Sequence, residues 1–141
     1  MNSGDHLKIN NIVETKLTVI SIRKDGIVEI RFKSDDCEVD AEERQNIEQA
    51  LIKLSNNNNK SFHIITLAGK YNIMTKEARE MQFDDSNRYR MRKSVAVVLT
   101  SLSQRLLAKS FYSLKKVDYP VNFFETEKEA TIWTEKLMKS T

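Results

Sequence analysis

SVAVVLTSLSQRLLAKSFYSLKKV, Ser94 to Val117, opens on a short, nearly unbroken apolar run and continues without a glycine or proline. An apolar run of this length, rich in β-branched valine, fits a strand covered on both faces, hence a central strand of a parallel sheet. Leu107, Phe111 and Leu114 then follow at i, i+4 and i+7, with Leu102 and Leu106 widening the apolar stripe of an amphipathic helix. Ser101 and Gln104 make a capping-box pair, so the strand passes into the helix through a very short turn. Strand, tight turn and amphipathic helix together form the core unit of an α/β domain.

Outward from that unit, 141 residues suffice for one domain with one core. Charged residues at 30% and hydrophobic residues at 40% are ordinary for a globular protein. The longest purely apolar run, Val95–Leu99, is far too short for a membrane span. MNSGDHLKINN has no apolar signal core, so a cytoplasmic location is expected. Cys37 is the single cysteine, which excludes an intrachain disulfide and a cysteine-rich metal site. No cofactor is expected.

N-terminal to the central unit, residues 1–14 read as a flexible end and residues 15–139 as the domain. TVISIR and IVEIRF alternate around Lys24-Asp25-Gly26, a strong hairpin signal because glycine accepts positive φ without a Cβ clash. Ile20 and Ile22 share one side of the first strand, and Val28, Ile30 and Phe32 share one side of the second. A helix follows, capped by Asp40 with Glu43 three residues on, and buried through Ile47, Ala50, Leu51 and Leu54. The carboxylates Asp35, Asp36, Glu38 and Asp40 lack the glycine and terminal glutamate of a calcium loop. Asn56–Asn59 reads as a polar stop.

SFHIITL (Ser61–Leu67) is the next buried strand, reached by a right-handed crossover. His63 within it, with no cysteine or second histidine nearby, reads as a core or edge residue making one hydrogen bond. Gly69 ends the strand and Thr75 caps a short second helix that begins with Ala78, Met81 and Gln82. Gly69-Lys70 lacks the paired glycines and Lys-Ser/Thr ending of a phosphate loop. Ligands collect at loops on the carboxyl ends of strands in open α/β sheets, here Ala68–Thr75 and Thr100–Arg105. At the C-terminus, Val121–Phe124 is an apolar strand, Thr126 and Glu129 form a capping box, and Ala130, Trp133 and Leu137 lie on one helical face. Trp133 is expected to anchor that helix on the sheet.

Charge is unevenly spread. Residues 1–66 carry a net −2, and residues 67–141 a net +5. Between Lys70 and Lys116 there are 11 basic against 4 acidic residues. Arg88, Arg90 and Arg92 alternate with Tyr89 and Met91, which could grip nucleic acid only if extended. No RNA-binding aromatic motif accompanies them, so nucleic acid is not the expected partner. No Ser-His-Asp set, paired carboxylates, nucleotide fingerprint or metal-ligand cluster is legible, and no enzymatic activity is expected.

With FFETEKEATIW after a VAVVL strand and an LAKSF helix, KEARE in the second helix, and Phe124, Ala130 and Trp133 near the end, residues 16–139 resemble the SpoIIAA-like (STAS-type) superfamily. The resemblance is to its small bacterial, Bacteroidetes-type members. It implies a single α/β domain: an N-terminal hairpin, then βα repeats giving a mixed, mostly parallel five-stranded sheet with about four helices. Anti-sigma-factor antagonists of that superfamily carry a phosphorylatable serine, after an aspartate, at the end of the third strand. This chain has Leu67-Ala68-Gly69-Lys70 there, so the phosphoswitch is not expected. The resemblance fits a non-catalytic regulatory or binding module working through protein–protein contact. The uneven charge points to the partner: an acidic protein surface meeting Arg88, Arg90, Arg92 and Arg105, or a second copy in a homodimer, the acidic first helix of one docking on the basic region of the other. A related fold, the CRAL-TRIO lipid carriers, implies the alternative: a small apolar or anionic ligand held near Tyr71, Met74, Met81 and Phe83. The residues expected to meet a partner or ligand are Lys70, Tyr71, Met74, Arg88, Arg90, Arg92, Ser101 and Arg105.

Overall fold

A computed structural model describes residues 12–55, 60–80, 91–114 and 117–140. The strands are β1 (Ile12–Glu14), β2 (Thr18–Ile22), β3 (Val28–Phe32), β4 (Glu38–Val39), β5 (Phe62–Leu67), β6 (Ile73–Met74), β7 (Arg92–Val98) and β8 (Val121–Phe124). The helices are α1 (Ala41–Leu54), α2 (Lys76–Glu80), α3 (Leu102–Leu114) and α4 (Glu127–Lys139). The main sheet has the order β1-β2-β3-β5-β7-β8, and β4 pairs with β6 in a separate parallel ladder. The β1–β2 and β2–β3 pairings are antiparallel, whereas the β3–β5, β5–β7 and β7–β8 pairings are parallel. All five expected strands and four helices are present, and the architecture is the mixed α/β sheet of the SpoIIAA-like fold. Ile12–Glu14 adds a sixth strand at the edge, within the stretch expected to be flexible; residues 1–11 lie outside the described residues.

Local chemistry places the elements. In the β2–β3 hairpin Gly26 sits at φ 88° and donates its N–H to Arg23 O at 2.9 Å, closing the turn. The register sets Ile20 opposite Ile30 and Ile22 opposite Val28, so the alternating aliphatic residues share a face. Asp40 caps α1 by accepting the Glu43 N–H at 2.8 Å, and Thr126 caps α4 by accepting that of Glu129 at 3.2 Å. Thr75 caps α2 through the Ala78 N–H at 3.1 Å.

The consecutive parallel strands advance in one direction, so right-handed crossovers put α1, α2 and α3 on one face of the sheet. α4, following the last strand, covers the other. Adjacent phenylalanines at the end of β8 report both faces. Phe123 packs on Tyr112 of α3, with ring centroids 5.5 Å apart, and Phe124 packs on Trp133 of α4 at the same separation. One core holds Ile20, Val28, Ile30, Leu51, Phe62 and Ile64 under α1. The other holds Ile27, Ile65, Leu67, Ala96, Val98 and Ala130 under α4. Trp133 anchors α4 as expected, but it is half-buried rather than enclosed.

Two features depart from the sequence reading. The first is α3, whose partly buried side is Gln104, Arg105, Ala108, Phe111 and Tyr112, while Leu102, Leu106 and Leu107 point outward. The leucine stripe is therefore not the packed side; Tyr112, edge-on to Phe111, meets Phe123 and turns that side of the helix to the sheet. The second is Arg92. The β5–β7 ladder slips between Phe62 and His63, where β7 advances from Arg92 to Ser94 and Lys93 is the extra residue. This bulge turns Arg92 onto the α1 face beside Phe62, instead of the α4 face that Ser94 and Ala96 occupy.

Candidate functional site

Three loops meet at the carboxyl ends of the parallel strands: Ser34–Cys37 after β3, Ala68–Asn72 after β5 and Leu99–Ser101 after β7. Gly69 is where the first two touch. A Cβ there would lie 2.6 Å from Asp35 Cα and 2.7 Å from Ser34 O, so no side chain fits without moving backbone. Ala68 donates to Val98 O at 3.3 Å, and Tyr71 donates its N–H to Asp35 O at 2.7 Å.

Asn72 holds the cluster together. Its Oδ1 accepts the Gly69 N–H, and its Nδ2 donates to Ser34 O at 3.0 Å and sits 3.0 Å from Cys37 Sγ. Its carbonyl accepts from Gln104 Nε2 at 3.2 Å, which fastens the first turn of α3 to the β5–β6 loop. Nothing in the sequence singled out Asn72; an asparagine three residues after a strand-ending glycine was the signal available. Cys37 stays a thiol: burial pushes its pKa up, Asp36 and Glu43 add to this, and the contact with Asn72 only offsets them.

This arrangement gathers five of the expected contact residues. Lys70, Tyr71 and Met74 are exposed on the β5–β6 segment, with Lys70 Nζ 5.4 Å from the Tyr71 ring centroid. Ser101 accepts the Gln104 N–H at 3.4 Å as the helix cap, and Arg105 folds back to donate to Leu99 O at 2.6 Å. The surface also carries residues that were assigned to the core or passed over. Tyr71, Ile73, Leu102, Leu106 and Leu107 are each 58–69% exposed, and Met74 is 36% exposed. The Asn72–Gln104 bond ties the β5–β6 segment, which carries the first of these side chains, to the helix that carries the leucines.

Arg92 does not belong here, which corrects its expected contact role. It lies at the other end of β7 and forks onto Glu48 of α1, Nη1 to Oε2 at 3.0 Å and Nη2 to Oε1 at 2.5 Å. Burial alone would lower the guanidinium pKa, but the bonds and charge of Glu48 outweigh it and raise it. Arg88, Arg90, Met81 and Phe83 lie outside the described residues. Tyr71 and Met74 line neither of two open grooves among the described residues. One runs between α3 and β8 past Lys109, Tyr112, Tyr119 and Asn122; the other lies between β1 and α1.

His63 makes the single hydrogen bond expected of it, Nδ1 to Ser94 Oγ at 2.7 Å, buried on the α4 face. Burial, and secondarily Lys93, holds its pKa below 6.5. Among the described residues no group of three or more His, Cys, Asp and Glu could hold a metal ion. None of the described helices is long and apolar enough to cross a membrane.

Comparison with known proteins agrees with this architecture. The chain is similar to a crystal structure of an uncharacterized protein from the DUF3478 family, from Shewanella loihica PV-4, described as having a SpoIIAA-like fold. The two share 13% sequence identity and superpose with a TM-score of 0.59, over 86% of this chain and 98% of that one. At that identity the likeness shows the fold alone. No curated protein matches the sequence. A family model described as a domain of unknown function, DUF7793, matches residues 20–138, and the chain belongs to that family.

Proposed function

We propose that this chain is a non-catalytic regulatory module that works by protein–protein contact at the strand-end surface. The observation that carries the reading is the apolar cluster Tyr71, Ile73, Met74, Leu102, Leu106 and Leu107, exposed beside a rigid, hydrogen-bonded loop cluster. Large apolar side chains left exposed in this number cost solvation free energy and mark contact surfaces. The loops beneath are tied by Asn72 and Gly69, so a partner meets a preorganised surface.

The module works without the serine phosphoswitch. Ala68 and Gly69 occupy the strand-end turn, and the close approach of Asp35 and Ser34 leaves no room for a serine side chain at position 69. Nucleic acid is a poor fit as partner, because Arg92 is committed to Glu48 and cannot join an extended comb of arginines.

The reading is tested by placing a photo-cross-linking amino acid at Leu106 or Ile73, and at Gln49 on α1 as control, in cells of the host. Protein adducts at Leu106 and Ile73 that are missing at Gln49 support it. Equal adducts at all three positions, or none at any, overturn it.

A further inference from the structure

β8 is the last strand of the main sheet, paired with β7 on one side and with no strand among the described residues on the other. The register fixes which way its backbone points. Pro120 O and Phe124 O accept from the Val95 and Leu99 N–H groups at 2.9 and 2.8 Å, so the even-numbered residues aim at β7. Val121 and Phe123 therefore turn their N–H and C=O groups outward, because these groups alternate sides along a strand. An edge of this kind is a template for another extended chain, and proteins guard it with charges, bulges or proline. β8 has no charged residue from Val121 to Phe124 and pairs with β7 without a register shift. Its guards are Pro120 before the strand and Asn122, whose Oδ1 accepts the outward Phe123 N–H at 2.8 Å. Among the described residues nothing covers the outward groups of Val121.

A groove of about 690 Å³ runs along this edge between β8 and α3, and its lining joins Val121 and Phe123 to Tyr112 and Tyr119. Sites of ~300–1,000 Å³ bury a small ligand, so this one has room for a few side chains. Alternate side chains of a strand added at β8 would enter the groove on the α3 face. Those between them would lie on the α4 face beside Phe124, which is half-buried. Backbone pairing with places for alternate side chains is how sheet edges recognise extended peptides. The opposite edge, β1, offers less: the groove beside it is about 370 Å³, and among the described residues its lining holds Lys16, Asn46, Gln49 and Lys53 and no aromatic ring. A second copy pairing through its own β8 is disfavoured by size. That contact has 4 residues a side, against about 20–30 in a stable interface.

We propose that the β8 edge and the α3–β8 groove form a docking site for an extended peptide segment of a partner protein. The segment adds to the sheet as a further strand and places aliphatic or aromatic side chains between Tyr112 and Tyr119. One of its carbonyls displaces Asn122 Oδ1 from the Phe123 N–H, and its N–H groups meet the outward carbonyls of Val121 and Phe123. Tyr71, Ile73 and Met74 take no part, so this contact and the strand-end contact stand or fall separately.

The test pans a phage-displayed library of random peptides against the full chain and measures the enriched sequences, as synthetic peptides, by fluorescence anisotropy. The enriched peptides alternate apolar with polar residues. Val121→Pro removes an outward donor while sparing the β7 ladder, and weakens their binding by roughly tenfold or more. Ser113→Trp, which fills the groove from an exposed position on α3, has the same effect without entering the sheet. Gln49→Trp, in the β1 groove, and Leu106→Glu leave the affinity unchanged. Circular dichroism checks each fold, and Ser113→Trp decides alone if Val121→Pro unfolds. A library that enriches nothing overturns the proposal, as do peptides indifferent to either folded variant. Binding lost in Leu106→Glu also overturns it, because the peptides then sit on the strand-end surface. Self-association of the wild type that Val121→Pro abolishes overturns it too, and gives the edge to a second copy.

Discussion

Glu48 and Arg92 join α1 to the bulged start of β7 through a two-pronged ion pair, with the carboxylate fully enclosed and the guanidinium mostly so. The bulge at Lys93 makes the pair geometrically available, and the pair in turn gives the buried strand start a charge partner. It subtracts Arg92 from the basic run that the sequence displays.

Removing one member should strand the other in a dry site. Glu48→Gln is expected to destabilise the fold by about 3 kcal/mol, the range seen when a buried pair is broken. The double variant Glu48→Leu/Arg92→Met should recover most of that loss. Urea unfolding of the three proteins measures it, and a single-variant cost no larger than that of a surface residue would show the pair to be solvated.

Gly69 should be intolerant of any side chain. Gly69→Ser is expected to cost about 1–3 kcal/mol, as overpacking does, because the new Cβ meets the backbone of Ser34 and Asp35. A thermal melt of Gly69→Ser matching the wild type would mean that the two loops part easily, and the preorganised surface would lose its footing.

His63 makes stability depend on pH in a known direction. Its folded pKa lies below the unfolded 6.5, so the unfolded chain binds the proton first. The stability His63 contributes as a neutral ring is present above 6.5, and it is lost as pH falls from 6.5 toward the folded pKa. The stability difference between wild type and His63→Gln should therefore shrink from pH 7.5 to pH 5.5. His6 is common to both proteins and cancels. A difference constant across that window contradicts the burial of a neutral imidazole.

Trp133 is packed on Phe124 but only half-buried. Trp133→Ala should thus cost about 2–3 kcal/mol, below the range for an enclosed aromatic. Chemical denaturation settles the value, and a cost under about 1 kcal/mol would detach Trp133 from the core.

What was legible in the sequence was local. Asp25-Gly26 marks its hairpin, Asp40 and Thr126 mark helix starts, and the valines of β7 mark a strand covered on both sides, because each signal is carried within a few residues. What was illegible depends on distant partners. Ile12–Glu14 is a strand only because Val19–Ser21 is there to pair, and the two-residue ladders β4 and β6 exist only together. In α3 two apolar faces compete, and a distant contact, Tyr112 on Phe123, goes with the aromatic side turned inward and the leucines outward. Lys70, Tyr71, Met74, Ser101 and Arg105 were expected at strand-end loops, and the structure places them there because loop position follows from local signals. Ile73 and the leucines were missed because exposure of an apolar residue leaves no mark on periodicity.

The protein-contact account is tested most directly by native mass spectrometry of the chain purified from its own host, beside Leu106→Glu purified in the same way. The account predicts a protein complex, with a second copy or another chain, that is retained by the wild type and lost in the variant. A bare monomer in both, or a small bound mass indifferent to Leu106, would contradict it.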